Sequence, residues 1–242
     1  MSRRSLNQTE TRKNPATKFL EWKSDEKAFE YYDKQLKEKL LSEGETEKSI
    51  KDGRLANVKV ELPLKVQFLE HFHTVKGWHD ASSKRIYSNE VKFISKEPVN
   101  VRTFGGLNLV EGIYGDIKLE LLQLGGKYHR SIYVIDESGE IINLQLKGAV
   151  VGAYTEFMKD HENSVEGSWL EMKSVTDHKK GATKYSTPDF TIGKAFTKAE
   201  MALANEKYLD IVAHFESVTA KEKSDMADYT TEEEVVEDDL AF

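Results

Sequence analysis

The middle of the chain carries the pattern that most restricts the fold. Residues 128–135 and 141–147 are two runs rich in apolar residues, separated by the turn-forming segment Asp136-Glu137-Ser138-Gly139. β-branched and aromatic residues favour strands, whereas Asp, Ser and Gly favour turns. The sequence therefore predicts an antiparallel hairpin at this point, and with it a fold built mainly on β-sheet.

Alternating apolar residues predict further strands before this hairpin, at residues 18–22, 27–32, 58–62, 66–69, 91–93 and 99–104. Residues 71–90 mix His, Gly, Trp, Lys and Ser without alternation, and they predict an irregular loop. Residues 107–124 predict a helix, because five apolar residues fall on one helical face and Gly125-Gly126 follows them. The order of strands, helix and hairpin matches the plan of the OB fold.

These patterns predict a chain that is mainly β with added helices, in which an OB-type five-stranded barrel carries a C-terminal strand and helix extension. The extension combines a helix at 149–161, a strand pair within 169–185, a strand at 190–196, and a helix that begins at Thr197 and runs to about Val218. Glu200 follows Thr197 by three residues, which is the spacing of a capping box.

These predicted elements divide the chain into four segments. They are a flexible basic N-terminal arm (1–17), an OB-fold core with a charged insertion near 33–56 (18–147), a helix, strand and helix extension packed on the core (148–220), and a disordered acidic C-terminal tail (221–242).

Composition excludes several classes of protein. The chain has no cysteine, so disulfide frameworks, cysteine-ligated zinc and thiol nucleophiles are ruled out. Its first residues contain no apolar signal region, and no apolar run approaches the roughly 20 residues that span a bilayer. We therefore expect a cytoplasmic protein without a membrane partner.

The distribution of charge matters more than its sum. The net charge is −7, and residues 221–242 alone hold nine acidic and two basic residues. The other 220 residues hold 33 of each sign. Because a local basic groove sets the affinity for phosphate, a neutral body is compatible with nucleic-acid binding.

The last 13 residues, TTEEEVVEDDLAF, place six carboxylates in eight positions before an apolar end. Repulsion between these charges favours disorder, and a terminal aromatic residue favours docking into an apolar pocket on a partner. We assign partner binding to Glu237, Asp238, Asp239, Leu240 and Phe242.

This ending resembles the tails of bacterial and phage single-stranded DNA-binding proteins, and the body is similar to the tailed-phage members. The resemblance implies an OB-fold body that coats single-stranded DNA, and a tail that binds replication and recombination proteins and competes with DNA for the groove. The chain lacks the Gly/Gln/Pro-rich linker usual in the bacterial type.

A single strand of DNA is bound without sequence preference by cations that follow its phosphates and by rings that stack on its bases. Aromatic residues beside Lys or Arg are therefore the candidates, and Trp78 is the foremost of them. The predicted DNA-binding residues are Trp22, Lys23, Lys76, Trp78, Lys84, Arg85, Tyr87, Arg102, Tyr128 and Arg130. Four further aromatic residues are assigned to the core, namely Phe19, Phe68, Phe93 and Tyr133.

Other chemistries remain as alternatives. His71, His73 and His79 with Asp80 have spacing compatible with a metal site, and Asp160 with Glu171 and Lys173 has the composition of a metal-dependent nuclease centre. A third alternative is an interaction protein that never touches DNA. The sequence has no P-loop and no GxSxG element, so no enzyme activity and no cofactor are expected. A homodimer is left open.

Overall fold

A computed structural model describes the backbone of residues 12–233 and the side chains of residues 12–221. Within these residues the protein is mixed α/β and mostly sheet. The strands are β1 (Lys18–Lys23), β2 (Ala28–Tyr32), β3 (Asn57–Val60), β4 (Leu64–His79), β5 (Lys84–Ser88), β6 (Val99–Thr103), β7 (Asn108–Gly112), β8 (Gly126–Asp136), β9 (Ile141–Lys147), β10 (Ser168–Lys180) and β11 (Thr183–Ala195). The helices are α1 (Lys34–Ser42), α2 (Glu47–Asp52), α3 (Tyr114–Gln123), α4 (Ala149–Val165) and α5 (Lys198–Glu233).

The described strands join in one large open sheet of 11 strands, with the order β3-β2-β1-β9-β8-β4-β5-β6-β7. β4 is 16 residues long and is central, because β8 pairs along one of its edges while β10 and β5 share the other. β11 pairs with β10 alone. The predicted OB-type five-stranded barrel is therefore not confirmed.

Local sequence signals explain several element boundaries. The hairpins β1–β2, β8–β9 and β10–β11 are confirmed. The capping box that opens α5 is also confirmed, since the Thr197 amide donates to the Glu200 carboxylate at 2.7 Å and the Glu200 amide donates to Thr197 Oγ1 at 3.3 Å. Asp33 caps α1 by accepting from the amides of Gln35 and Leu36.

Several predicted segments are wrong. Residues 71–90 are not an irregular loop, since β4 continues to His79, turns at residues 80–83, and returns as β5. Residues 107–124 are not one helix, because Asn108–Gly112 pairs with β6 as a strand and the helix begins only at Tyr114. Residues 190–196 also do not begin a separate strand, because β11 runs unbroken through Pro188.

One side of the sheet carries two apolar clusters. The larger cluster packs β1, β8 and β9 residues such as Leu20, Ile132 and Leu144 beneath α4 and the β10–β11 hairpin. The smaller cluster packs Val75 and Ile86 with β6 and α3. Helices and hairpin therefore cover this side over much of the sheet, whereas the other side is exposed at residues such as Trp78, Tyr87 and Tyr32.

The chain divides into two compact units. The first is Ala16–Ala204 and holds the whole sheet. The second contains residues 1–15 and 205–242, and its described part is residues 12–15 with most of α5. In this second unit the Arg12 amide donates to Ser217 Oγ, and Arg12 O lies 2.7 Å from His214 Nδ1. No described helix has the length and apolar character of a membrane span.

Candidate nucleic-acid interface

A row of polar and aromatic side chains crosses four neighbouring strands. Lys127 on β8 lies opposite Lys76 on β4, Lys76 lies opposite Tyr87 on β5, and Tyr87 lies opposite Arg102 on β6. Directly opposed residues of antiparallel strands point to the same face of the sheet. The next row on this face begins with Trp78, which lies opposite Arg85.

The same alternation continues across β8 and β9 to the first two strands. Lys147 is in register with His129, and Gln145 is in register with Glu21 of the parallel neighbour β1. The polar face is defined here by Phe19, Glu21, Lys23, Glu30, Tyr32, Lys76, Trp78, Arg85, Tyr87, Arg102, Lys127, Gln145 and Lys147.

Aromatic rings on the polar face are accessible. Trp78 is 49% exposed, Tyr87 42%, Phe19 41% and Tyr32 50%. Exposed rings beside cations are the surface on which unpaired bases stack, so this face has both elements of a single-strand binding surface.

A close backbone contact fixes the position of Trp78. A Cβ atom at Gly77 would lie 2.1 Å from the carbonyl oxygen of Gly125, and one at Gly125 would lie 2.0 Å from that of Trp78. Gly125 also has a φ of +85°, which glycine adopts without strain. The end of β4 therefore packs directly on the turn after α3, and only glycine fits at both positions.

Carboxylates on the polar face are neutralised by neighbouring cations. Glu21 pairs with Lys147 at 3.1 Å and with Lys23 at 3.3 Å. Burial raises the pKa of Glu21, but the two lysines outweigh burial and the net pKa is lowered. Glu30 contacts Arg54 and Asn57, and its pKa is likewise lowered against the effect of burial.

Other cations of this face are not used to neutralise its carboxylates. Lys76, Arg85 and Lys127 have no carboxylate within 4.0 Å among the residues that the structure describes. Burial lowers the pKa of Lys76, although Glu90 and Glu21 act in the opposite direction. A half-buried ammonium group without a close counterion gains most from a phosphate placed beside it.

The charged insertion borders the face. α1 and α2 project between β2 and β3, and together with the sheet they border an open cleft with a volume of about 1210 Å³. Lys48, Ile50 and Lys51 line it from the insertion, while Lys76 and Arg85 line it from the sheet. The polar face is thus an open surface at β5 and β6 and a cleft beside α2.

Six of the ten predicted DNA-binding residues lie on the polar face, namely Lys23, Lys76, Trp78, Arg85, Tyr87 and Arg102. The other four point to the opposite side of the sheet. Trp22 is 5% exposed, packs against Phe29, and donates its indole N–H to Ser186 O at 2.9 Å. Its interpretation as a stacking platform is therefore wrong. Lys84 alternates with Arg85 and faces away from it.

Tyr128 and Arg130 belong to an inner polar cluster, which also contains His71, His73 and Tyr154. Arg130 donates to His73 Nε2 at 2.9 Å, and a guanidinium can only donate. His73 is therefore neutral and donates from Nδ1 to the Tyr128 oxygen at 2.7 Å. Burial, assisted by Arg130, lowers the pKa of His73 to about 4. The sequence predicts that Tyr128 and Arg130 contact DNA, but both are internal parts of the folded sheet.

His71 completes this cluster by its contact with Tyr154, whose oxygen lies 3.0 Å from Nδ1. Burial and then Arg130 lower the pKa of His71 to about 4. Burial raises the pKa of Tyr154 above its ordinary range, so its hydroxyl stays protonated. The cluster lies between the two apolar clusters on the same side of the sheet.

Sequence reasoning missed several residues of the polar face. Phe19 was assigned to the core but is exposed, as is Phe93 at 53%, whereas Phe68 and Tyr133 are buried as predicted. Tyr32, Lys127 and Lys147 were not selected. Strand parity would have found them, because they alternate with the partly buried Tyr31 and with the buried Ile132 and Leu146 along their own strands.

Residues of the two alternative metal centres make other contacts in the structure. Glu171 and Lys173 form an ion pair on β10, and His79 contacts Ser82 at 2.8 Å. Within residues 12–221, no group of three His, Asp or Glu side chains is placed to hold a metal ion. The predicted partner-binding residues of the tail, 237–242, lie outside the described residues.

Comparison of the chain with protein-family models, curated proteins and solved structures found no match. The functional conclusion therefore depends on the polar face and on the sequence of the C-terminal segment.

Proposed function

We propose that this protein coats single-stranded DNA without strong sequence preference during replication and recombination, and recruits partner proteins through its acidic C-terminal segment. The observation that carries the proposal is the polar face, where Lys76, Arg85 and Lys127 surround the exposed rings of Trp78 and Tyr87.

The chemistry of this face suits an unpaired strand. Phosphates are attracted by the cations, and each stacked base contributes roughly 1–3 kcal/mol. Rings stack on every base, so contacts of this kind carry little sequence information. Bases in a duplex are already stacked and paired, so an aromatic sheet face favours the single strand.

The OB-type arrangement of residues 18–147 is part of the same proposal. Its support is that α3 directly precedes the β8–β9 hairpin and that β1 pairs both with β2 and, in parallel, with β9. The resemblance of the C-terminal segment to the tails of bacterial and phage single-stranded DNA-binding proteins supports the same assignment.

A titration of labelled oligo(dT), followed by fluorescence anisotropy without added metal, tests the proposal. We expect measurable binding at low salt that weakens steeply between about 50 mM and 200 mM salt. Arg85→Ala should lower the affinity, and it should reduce the slope of log affinity against log salt by the contribution of about one phosphate contact. Lys84→Ala is the matched control, because this neighbouring exposed lysine faces the other side of the sheet.

No binding by the intact chain or by a chain lacking residues 234–242 would overturn the proposal. Equal losses for Arg85→Ala and Lys84→Ala would show that the polar face is not the binding surface. Degradation of the oligonucleotide in Mg²⁺, abolished by Glu171→Ala, would favour the nuclease alternative instead.

The recruiting role has a separate test. Removal of residues 234–242 should leave the affinity for oligo(dT) equal or higher, because carboxylates repel phosphate and no longer compete for the cations. The same deletion, and Phe242→Ala alone, should abolish binding of purified replication or recombination proteins. Unchanged behaviour in both assays would refute the assignment of the tail.

A further inference from the structure

The charged insertion is attached to the sheet as a closed excursion. It leaves β2 after Tyr32 and returns at Asn57, and these two residues are direct partners across the β2–β3 pair. The Asp33 amide also donates to Ala56 O at 2.8 Å. Both ends of the insertion are therefore held together at the end of a hairpin.

The insertion has a fixed position. Ile50 of α2 is 2% exposed, and Arg54 contacts Glu30 of the polar face and Glu26 of the β1–β2 turn. Burial of one apolar side chain and a charged contact hold α2 beside the sheet. The cleft between them exists before any ligand binds.

Cations face each other across this cleft. Lys48 and Lys51 line it from α2, and Lys76 and Arg85 line it from the floor. None of the four has a carboxylate within 4.0 Å among the described side chains. Most carboxylates that line the cleft are neutralised by ion pairs, and Glu47, for example, pairs with Lys37 at 2.8 Å. Asp52 is the exception.

We infer that the α1–α2 insertion is the second wall of the DNA site, and that it holds the phosphates of a single strand against the polar face. This inference rests on the proposed function. A strand held from two sides must leave two sets of cations at once, so the insertion controls the rate of release more than the rate of capture.

The test compares two double variants that remove the same charge from the same insertion. Lys48→Ala with Lys51→Ala removes the lysines that line the cleft, and Lys34→Ala with Lys39→Ala removes lysines of α1 outside its lining. Release of labelled oligo(dT) is measured by stopped flow after mixing with excess unlabelled oligo(dT).

We expect the Lys48/Lys51 variant to release DNA roughly tenfold faster, which is about 1.4 kcal/mol. Its salt slope should fall by roughly 1.4, at about 0.7 for each lost phosphate contact on a single strand. The Lys34/Lys39 variant should release DNA at the parent rate. A third variant, in which Asn-Gly replaces residues 33–56, joins β2 to β3 by a two-residue turn and should release DNA faster still.

Equal release rates and salt slopes for the two double variants would overturn the second wall while leaving the proposed function intact. A parent chain without affinity for oligo(dT) would overturn both. Circular dichroism checks that each variant is folded, and the point variants decide the question if the shortened chain does not fold.

Discussion

Trp78 on β4 lies directly opposite Arg85 on β5, on the polar side of the sheet. Trp78 is the exposed member of the three tryptophans, since Trp22 and Trp169 are buried. The pair places a large ring and a guanidinium group side by side, which is the combination that binds a base and its phosphate together. The two residues are separated by a short turn, so their relative position is set locally.

Trp78 and Trp22 should give opposite results when each is replaced by alanine. Trp78→Ala is expected to weaken oligo(dT) binding by about 1–3 kcal/mol and to leave the melting temperature unchanged. Trp22→Ala is expected to cost about 3–5 kcal/mol of unfolding free energy, because it opens a cavity beside Phe29. Anisotropy and urea unfolding of both variants check this, and a stability loss for Trp78→Ala would contradict it.

Lys76 should make DNA binding sensitive to alkaline pH. Burial lowers its pKa in the free protein, and a nearby phosphate raises that pKa again. Binding should therefore take up protons, and affinity should fall as pH rises through the lowered pKa of Lys76. Lys76→Arg keeps its charge and should lose less affinity between about pH 7 and pH 10. Identical pH profiles for parent and variant would refute this role.

The inner polar cluster should make the fold sensitive to mild acid. The pKa values of His71 and His73 are lowered to about 4, whereas the unfolded chain binds these protons near pH 6.5. The stabilisation is complete above pH 6.5 and is lost as pH falls towards 4. We expect a loss on the order of 1 kcal/mol per histidine between pH 7 and pH 5, after discounting for partial exposure.

Urea unfolding at pH 7, 6 and 5 measures this effect. His71→Asn with His73→Asn should be less stable than the parent at pH 7, because Arg130 and Tyr154 lose partners. Its stability should change less between pH 7 and pH 5. A variant as acid-sensitive as the parent would show that other groups dominate.

Gly77 should not tolerate a side chain. Gly77→Ala brings a methyl group 2.1 Å from the carbonyl oxygen of Gly125, so β4 or the turn after α3 must move. We expect a loss of about 2 kcal/mol or more in unfolding free energy, together with weaker DNA binding as Trp78 shifts. Gly152→Ala on α4 is the control, since nothing lies within 4 Å of its new methyl group. It should be neutral or stabilising by up to about 1 kcal/mol.

The hairpins were predictable because their signals are local. The β8–β9 turn uses Asp136 Oδ1, which accepts from the amides of Ser138 and Glu140. The long strand β4 was not predictable in the same way. His71 and His73 occupy inward positions, where a sequence pattern leads us to expect apolar residues. Their partners Tyr128, Arg130 and Tyr154 are far away in the sequence, so the pattern predicted an irregular segment.

The helix predicted for residues 107–124 failed for a related reason. Leu109 and Ile117 have helical spacing, but Leu109 belongs to β7, where pairing with β6 overrides the periodic pattern. The site was predicted by adjacency of aromatic and basic residues, which ignores strand parity. Strand parity places Arg85 and Lys84 on opposite faces of the sheet and turns Tyr128 inward. Assigning this parity depends on the register of the strands, which the structure provides.

The inner polar cluster separates the two apolar clusters of the sheet, and this division has a consequence for local opening. The two clusters have no residue in common, so we expect β5, β6, β7 and α3 to unfold as a unit while β1, β8, β9 and α4 stay closed. Amide hydrogens of β5 and β6 should then exchange with solvent sooner than those of β8 and β9. Arg85, Tyr87 and Arg102 would be carried on the part of the protein that opens first, and bound DNA would slow exchange there most.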